Sequence, residues 1–442
     1  MEKEMRDKVE SKMVGLSDPD RASMQASMTE KFIDKYMAPY LLTTAGRIIM
    51  LVIYAILIGG SIYGVINVEI NFEFNYFIGD TSDVYEWFQQ NDKYFNTGSI
   101  TTTYVDNSSV DYSSQEIQEK LIAFNKNLQE CSDCEEVWNI PITLESWYHD
   151  FSKWTREGNC PGVPQDTQAT AHNYIIPQAS FYTCLNRFME SDDSKQYDND
   201  IKYDGTITKN GATKVSNITK INAYRQNIRV KKIDEVAKQG VQYLKDTRDM
   251  EAKYSVDGTY SYATDMLNYE TYKVLLKESV LSIGLSLVAV AAVVFMITGS
   301  LPVTGLVVLS VVLVDYFLIA LIYYWDLTFN TIIIVNIVIA IGLAVDYSAH
   351  IAHTYLIIQP PSEMSNSEKR IFKARKALSS MGSSVFHGGF STFLAIISLA
   401  SSKSYIFEVF FRMWFGIIIF GMANGFLLLP VILSFCGPLG EP

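Results

Sequence analysis

The sequence lacks the residue patterns of an enzyme site and the charge of a nucleic-acid-binding protein. No phosphate-binding glycine loop, catalytic metal motif or spaced nucleophile–base pair occurs in its 442 residues. Basic residues are also scarce, because 36 Lys and Arg stand against 48 Asp and Glu and give a formal net charge of −12. A basic footprint is what binds the phosphate backbone of nucleic acids. We therefore expect no enzyme activity, no cofactor and no nucleic-acid partner.

Apolar residues are unevenly distributed along the chain. They make up 48% of the sequence and the mean hydropathy is +0.10, averages that conceal their concentration in a few long runs. A helix needs roughly 20 apolar residues to cross the hydrocarbon core of a membrane. The runs that meet or approach this length are residues 48–66, 280–298, 302–324, 331–357, 383–400 and 407–435. They predict a membrane protein with an α-helical bundle of six transmembrane helices, one followed by five.

The short loops set the orientation of these helices. The loop before the fifth run carries Lys369, Arg370, Lys373, Arg375 and Lys376, and such basic loops stay on the cytoplasmic side. Counting back places residues 1–47 in the cytoplasm, the first helix at 48–66 and residues 67–279 outside. The five-helix bundle follows at 280–436, and residues 437–442 form a cytoplasmic tail. Residues 69–275 hold 20 Lys and Arg against 32 Asp and Glu, so the net negative charge lies in the outer part.

The outer part alternates strand-like and helix-like patterns and predicts an extracytoplasmic α+β domain. Residues 101–105 and 228–233 are rich in strand-forming side chains, while 117–128 and 235–254 have helical spacing. Residues 159–217 are rich in Asp, Asn, Gly and Ser, which predicts long loops there.

Four of the five cysteines belong to this outer part, namely Cys131, Cys134, Cys160 and Cys184. An even number in an oxidising compartment predicts two disulfides, with three possible pairings. The alternative is a zinc site at Cys131 and Cys134, which have ligand-like spacing; we expect no metal. The sequons at Asn107 and Asn217 are glycosylation candidates on the same side.

Polar residues inside the fourth run are candidates for a functional site. At about 100° per residue, Asp346, His350 and His353 share one helix face, and Gly342 lies one turn before Asp346. Carboxylates and imidazoles there can relay a proton or bind a cation, and a small residue lets another helix approach closely. The alternative is a polar clasp whose members satisfy each other and serve the fold.

Other polar residues in the apolar runs are also predicted to form polar contacts or to join the relay. Asp315 in the third run is a second candidate for the relay, or else a packing group satisfied by neighbouring helices. Glu408 and Arg412 are spaced to pair with each other. Asn336 and Asn424 are predicted to form hydrogen bonds between helices.

Residues 342–351, Gly-Leu-Ala-Val-Asp-Tyr-Ser-Ala-His-Ile, resemble the tenth transmembrane helix of the Patched, Dispatched and Niemann–Pick type C group. This group belongs to the resistance–nodulation–division (RND) superfamily. Residues 31–36, 41–42 and 61–64 look like the entry into the seventh helix of the family, and residues 410–438 look like its twelfth. The resemblance covers residues 31–438 and corresponds to the C-terminal half of the family, an RND-type half.

The resemblance implies a Patched-like permease half that moves a lipid, sterol or other hydrophobic substrate. Asp346 would belong to a cation-coupling centre for protons or Na⁺, opposite an acidic motif in the half that has no counterpart here. The chain is then either part of a longer protein or a half-transporter that assembles with a second half. The host would be the plasma membrane or an endomembrane. The alternative is a non-transporting receptor or scaffold whose outer domain binds a protein or sterol.

Overall fold

The structure is a computed structural model. It describes residues 28–70, 78, 82–95, 97–130, 141–163, 165, 174–210, 213–231, 233, 236–402 and 404–439. The chain forms two compact units. One is Thr81–Leu276, and the other combines Met1–Asp80 with Lys277–Pro442. We call them the outer unit and the membrane unit.

The helices and strands are numbered here in chain order. The α-helices are α1 (Met28–Phe32), α2 (Ala38–Leu41), α3 (Thr44–Ile66), α4 (Asp83–Tyr94), α5 (Gln115–Gln129), α6 (Trp147–Trp154), α7 (Phe181–Glu190), α8 (Val241–Tyr254), α9 (Met266–Thr298), α10 (Leu301–Tyr324), α11 (Thr331–Ile357), α12 (Asn366–Ile396), α13 (Tyr405–Ala423) and α14 (Leu429–Cys436). Short π-helical stretches are Ile33–Met37, Thr155–Asn159, Val236–Gly240 and Asn424–Leu428, and 3₁₀ turns are Gln178–Ser180, Asp192–Tyr197 and Ile397–Ser401. The strands are β1 (Thr97–Asp106), β2 (Pro141–Glu145), β3 (Ile201–Asn210), β4 (Thr213–Lys231) and β5 (Thr259–Tyr262).

Six helices of the described residues are long and apolar enough to span a membrane, which confirms the predicted arrangement of one helix followed by five. They are α3, α9, α10, α11, α12 with its 3₁₀ extension, and the continuous segment Tyr405–Cys436. The last of these contains a π-helical stretch, Asn424–Leu428, between α13 and α14.

Two of these helices begin well before the apolar runs that predicted them. The helix α9 begins at Met266 rather than near residue 280, and α12 begins at Asn366 rather than near residue 383. Hydropathy detects only the apolar part of a helix, whereas backbone hydrogen bonding continues through polar turns. At α12, Ser365 and Glu368 form a capping box that fixes the start of the helix. This Ser-x-x-Glu pattern is visible in the sequence and could have located the boundary.

Close helix contacts hold the membrane unit together. Tyr54 of α3 packs against Phe317 of α10, and the Tyr324 hydroxyl donates a 2.6 Å hydrogen bond to the Gly60 carbonyl. A Cβ atom at Gly64 would lie 2.8 Å from the Ala320 carbonyl oxygen, so only glycine permits this approach. Small residues at helix contacts are what membrane packing favours, because lipid supplies no hydrophobic drive between helices.

The outer unit contains an antiparallel sheet in the order β2–β4–β1–β5, with β3 paired to β4. Alternate residues of β1 point to opposite faces, so Thr101, Thr103 and Val105 are buried while Thr102 and Tyr104 are half-buried. The buried face supports an aromatic core that includes Trp147, Phe151, Phe181, Phe188 and Tyr224. Helices and sheet together confirm the α+β class.

Residues 159–217 were predicted to include long loops, and they also contain regular helices and strands. This stretch contains α7, β3 and the start of β4, and α7 buries Phe181, Leu185 and Phe188 in the aromatic core. Tertiary packing of these few apolar side chains outweighs the polar composition around them. The dipeptide Asn210-Gly211 is a hairpin signal in the sequence that favours two strands over a loop.

Candidate functional site

The candidate site lies on α11, the helix of the membrane unit that carries the ionisable residues singled out in the sequence. Asn330 caps this helix, because its side-chain oxygen accepts hydrogen bonds from the backbone N–H groups of Ile332 and Ile333. The helix then runs unbroken to Ile357, so residues four apart lie on one stripe. Gly342, Asp346 and His350 form this stripe.

Asp346 and His350 contact each other. Asp346 Oδ1 lies 3.1 Å from His350 Nε2, and the pair is an ion pair when the imidazole is protonated. Their side chains are 70% and 64% exposed, respectively. No heavy atom outside its own helical neighbourhood lies within 4 Å of where a Cβ on Gly342 would sit. The stripe is therefore open, and within the described residues it packs against no other helix of the chain.

The opposite face of α11 is buried and explains why the stripe points outward. Tyr347, Ser348 and Ile351 are enclosed by neighbouring helices, and Tyr347 packs directly against Gly421 and Gly425. The apolar and small residues thus seal one face of α11, and the ionisable residues occupy the other.

The other two predicted relay residues are less exposed than this pair. His353 is half-buried on α11. Asp315 of α10 is only 5% exposed, and neither carboxylate oxygen has a hydrogen-bond partner among the described residues. A relay role for either residue stays a prediction.

Glu408 and Arg412 of α13 form the expected ion pair. Arg412 Nη2 contacts Glu408 Oε1, and Arg412 Nη1 donates to the Trp325 carbonyl. The arginine thereby ties α13 to the end of α10 and serves the fold.

A polar network crosses the interior of the membrane unit. The Tyr54 hydroxyl donates to Asn424 Oδ1 at 2.7 Å, and Asn424 Nδ2 donates to the Ser310 carbonyl at 2.8 Å. The Ser310 and Ser348 hydroxyls lie 3.3 Å apart. Asn424 was identified because it interrupts an apolar run, whereas Tyr54 was missed because a tyrosine among apolar residues carries no such signal.

The second predicted asparagine also bonds between helices. Asn336 accepts a 3.0 Å hydrogen bond from the indole of Trp414 and donates to the Ile332 carbonyl within its own helix. It is fully buried. Like Asn424, it therefore holds neighbouring helices together.

The predicted disulfides and the alternative zinc site concern cysteines of the outer unit. Cys160 and Cys184 form a disulfide, whereas Cys131 and Cys134 lie outside the described residues, as does the zinc alternative that depends on them. No group of three or more metal-ligating side chains occurs in the part of the chain that the structure describes.

Both glycosylation candidates lie at accessible positions of the outer unit. Asn217 is exposed on β4, and Asn107 is half-buried with its side-chain amide donating to the Asp257 carbonyl at 3.1 Å. Modification of either asparagine stays a prediction.

Comparison with known proteins gives the fold and sequence relatives. No family model matches the chain. It is 24% identical over 461 aligned residues to the NPC intracellular cholesterol transporter 1 of Sus scrofa. This alignment covers 95% of this chain and 35% of that protein. It is 34% identical over 182 residues to the NPC intracellular cholesterol transporter 1 homolog 1b of Drosophila melanogaster, covering 40% of this chain and 14% of that protein. The chain thus spans about a third or less of the length of these relatives.

A solved structure matches nearly the whole chain. The hedgehog release protein Disp from the water bear Hypsibius dujardini superposes with a TM-score of 0.60 at 14% identity, covering 92% of this chain and 50% of that protein. Identity this low bears on the fold alone, and the fold includes both the helical bundle and the outer domain. The sequence relatives and the fold confirm the resemblance of the chain to the Patched, Dispatched and Niemann–Pick type C-like group of RND permeases.

Proposed function

We propose that the chain is part of a transporter that moves a sterol or another hydrophobic lipid, with a cation coupled through Asp346. The observation that carries the coupling proposal is the exposed Asp346–His350 pair on a membrane-spanning helix. A charged side chain at the centre of a bilayer costs about 2.5–3.5 kcal/mol or more, so such groups face a polar partner or a water-filled path. An acid and an imidazole in contact are suited to bind and release a proton or a cation.

The open stripe also indicates what completes the site. Gly342 leaves room for another helix to approach within backbone distance, directly beside the ionisable pair. We infer that a second transmembrane bundle covers this stripe, supplied by the rest of a longer protein or by another chain. The coupling centre would then lie between two bundles and close only when both are present.

The substrate class rests on the relatives. The similar proteins from Sus scrofa and Drosophila melanogaster are named as intracellular cholesterol transporters, and the alignment with the first covers 95% of this chain. A sterol or a lipid of similar hydrophobicity is therefore the substrate to test first.

The test is gradient-driven movement of a fluorescent sterol across sealed vesicles that contain the full-length protein. Asp346→Asn keeps the size of the side chain but removes its charge and its proton exchange. We expect it to reduce transport at least tenfold, towards the rate of empty vesicles. Imposing a pH gradient and a Na⁺ gradient in separate experiments identifies the coupling ion.

Glu278→Gln is the matched control, because Glu278 is an exposed carboxylate on a different helix, α9. It should transport at the unmodified rate. Size-exclusion chromatography checks that Asp346→Asn is folded. Transport that persists in this folded variant would contradict coupling through Asp346.

The second candidate function is a receptor or scaffold that binds a ligand through its outer unit. The observation that favours it is an aromatic patch on the sheet, where Tyr104 stacks on Tyr260 and Tyr262 is 52% exposed. Ligand binding that survives Asp346→Asn in a protein without gradient-driven transport would support this candidate.

A further inference from the structure

A second feature of the membrane unit is an apolar cavity of about 450 Å³. Three parts of the chain form its walls. Met28 and Phe32 come from the segment that precedes α3, Phe386 comes from α12, and Met422 and Phe426 come from the last membrane span. Cavities of this size hold small organic ligands. None of the lining residues belongs to the Asp346–His350 stripe.

Specific contacts hold the first wall in place. The Thr29 hydroxyl lies 2.6 Å from the Ser383 hydroxyl, and the Ser379 hydroxyl donates to Asp34 Oδ1 at 2.8 Å. Between them, Ile33 packs over Gly382, where a Cβ would come within 3.0 Å of the Ile33 side chain. These contacts hold the segment that contains Thr29, Ile33 and Asp34 against α12. This wall of the cavity therefore has a defined position in the membrane unit.

One edge of the cavity is polar. Thr29 lines the cavity, and its hydroxyl contacts both the Ser383 hydroxyl and, at 3.1 Å, His387 Nε2. Hydroxyl and imidazole groups can donate a hydrogen bond to a neutral hydroxyl or accept one from it. No lysine or arginine lines the cavity among the described residues, so nothing there is matched to a phosphate headgroup.

The chemistry of the walls limits what can fill the cavity. Residues 1–27 are unsuited to occupy an apolar cavity, because 11 of these 27 residues are charged and burying a charge there is unfavourable. Two walls belong to membrane-spanning helices, so a membrane lipid has direct access. The occupant must therefore be an apolar body with a small neutral polar end.

We infer that this cavity binds a sterol-like lipid, with its rigid apolar body between Phe32, Phe386 and Phe426 and its single hydroxyl at Thr29, Ser383 and His387. The site differs from the proposed coupling centre, and neither depends on the other. Because the docked segment leads directly into α3, an occupant would also stabilise the packing of that segment on α12.

The test is photolabelling of the full-length protein in lipid nanodiscs with a photoreactive sterol, followed by mass spectrometry of the labelled peptides. Ala423 lines the cavity, so Ala423→Phe fills it without removing a large side chain. We expect labelling of the peptides around Phe386 and Met422 to fall at least fivefold. Ala395→Phe adds the same side chain at an exposed position of α12 that does not line the cavity, and should label normally.

Two further probes test the class of lipid. Thr29→Val keeps the shape but removes the hydroxyl, and it should weaken labelling by the free sterol more than labelling by its methyl ether. A photoreactive phospholipid should label these peptides weakly. Equal labelling of Ala423→Phe and the unmodified protein would overturn the inference, as would phospholipid labelling that exceeds sterol labelling.

Discussion

Two buried tyrosines of the outer unit have raised pKa values. Burial raises the pKa of Tyr112 from its ordinary value of 10.0 to about 12, with smaller effects from nearby Tyr182 and Asp106. Burial likewise raises the pKa of Tyr243 to about 12. The Tyr112 hydroxyl has no hydrogen-bond partner among the described residues, so nothing offsets its desolvation.

Tyr112 should make the outer unit sensitive to alkali. In the unfolded chain this phenol ionises near pH 10, whereas in the folded protein it stays neutral up to about pH 12. Its contribution to stability is therefore complete below pH 10 and is lost as the pH rises from 10 to 12. Tyr112→Phe should move the alkaline unfolding midpoint upwards, measured by the fluorescence of the full chain. Tyr262→Phe, at an exposed hydroxyl, is the control and should leave the midpoint unchanged; an equal shift in both variants would contradict this assignment.

The two intramembrane acids differ at the same scale. Asp346 is exposed and contacts His350, whereas Asp315 is buried without a hydrogen-bond partner among the described residues. The packing of α10 and α11 encloses Asp315 and leaves Asp346 open. This contrast is why the coupling proposal rests on Asp346.

At the scale of elements, the Cys160–Cys184 disulfide joins the end of the α6 segment to α7. Both cysteines lie in the aromatic core, and the bridge closes a sequence separation of 24 residues. Closing a loop of this length restricts the unfolded chain and stabilises the fold by about 3 kcal/mol.

Removal of this bridge should therefore destabilise the outer unit. The double variant Cys160→Ala and Cys184→Ala should lose about 3 kcal/mol of unfolding free energy, measured by urea titration followed through tryptophan fluorescence. Cys436→Ala is the control, because Cys436 is a free and exposed cysteine of the last membrane span. A double variant as stable as this control would show that the packing of the core alone holds α7.

At the scale of the whole molecule, the membrane unit has two kinds of open helix surface. Gly284 of α9 and Gly342 of α11 are both exposed, and a Cβ added at either would meet no atom within 4 Å beyond its own helical neighbourhood. Gly284 is surrounded by exposed apolar residues such as Leu281, Leu285 and Val288, whereas Gly342 lies beside Asp346. The first surface suits lipid, and the second requires a polar partner.

Spin labels at these two glycines should distinguish the surfaces. A nitroxide at Gly284→Cys in vesicles of the full-length protein should collide freely with oxygen, which concentrates in lipid. A nitroxide at Gly342→Cys should be at least threefold less accessible to oxygen, because a second bundle or water covers it. The measurement is the oxygen-dependent saturation of the spin signal, and equal accessibility at both sites would contradict a covered stripe.

The sequence by itself determined the features that depend on composition and local spacing. Apolar runs define six spans whatever packs around them, and the placement of Asp346 and His350 four residues apart puts them on one face of a helix. Residues 342–351, together with the order of the other matching segments, carried the resemblance to the Patched, Dispatched and Niemann–Pick type C group. The start of α12 and the β3–β4 hairpin also have local signals in the sequence, Ser365 with Glu368 and Asn210 with Gly211.

Tertiary structure decided which face of each helix is covered and which distant residues meet. It selected the Cys160–Cys184 pairing, turned the Asp346 stripe outward while burying Asp315, and joined Tyr54 to Asn424 across 370 positions of sequence. It also created the apolar cavity, since Phe32, Phe386 and Phe426 are far apart in the chain. The physical reason is that burial and long-range contacts depend on how the helices pack against one another, whereas periodicity describes each helix alone.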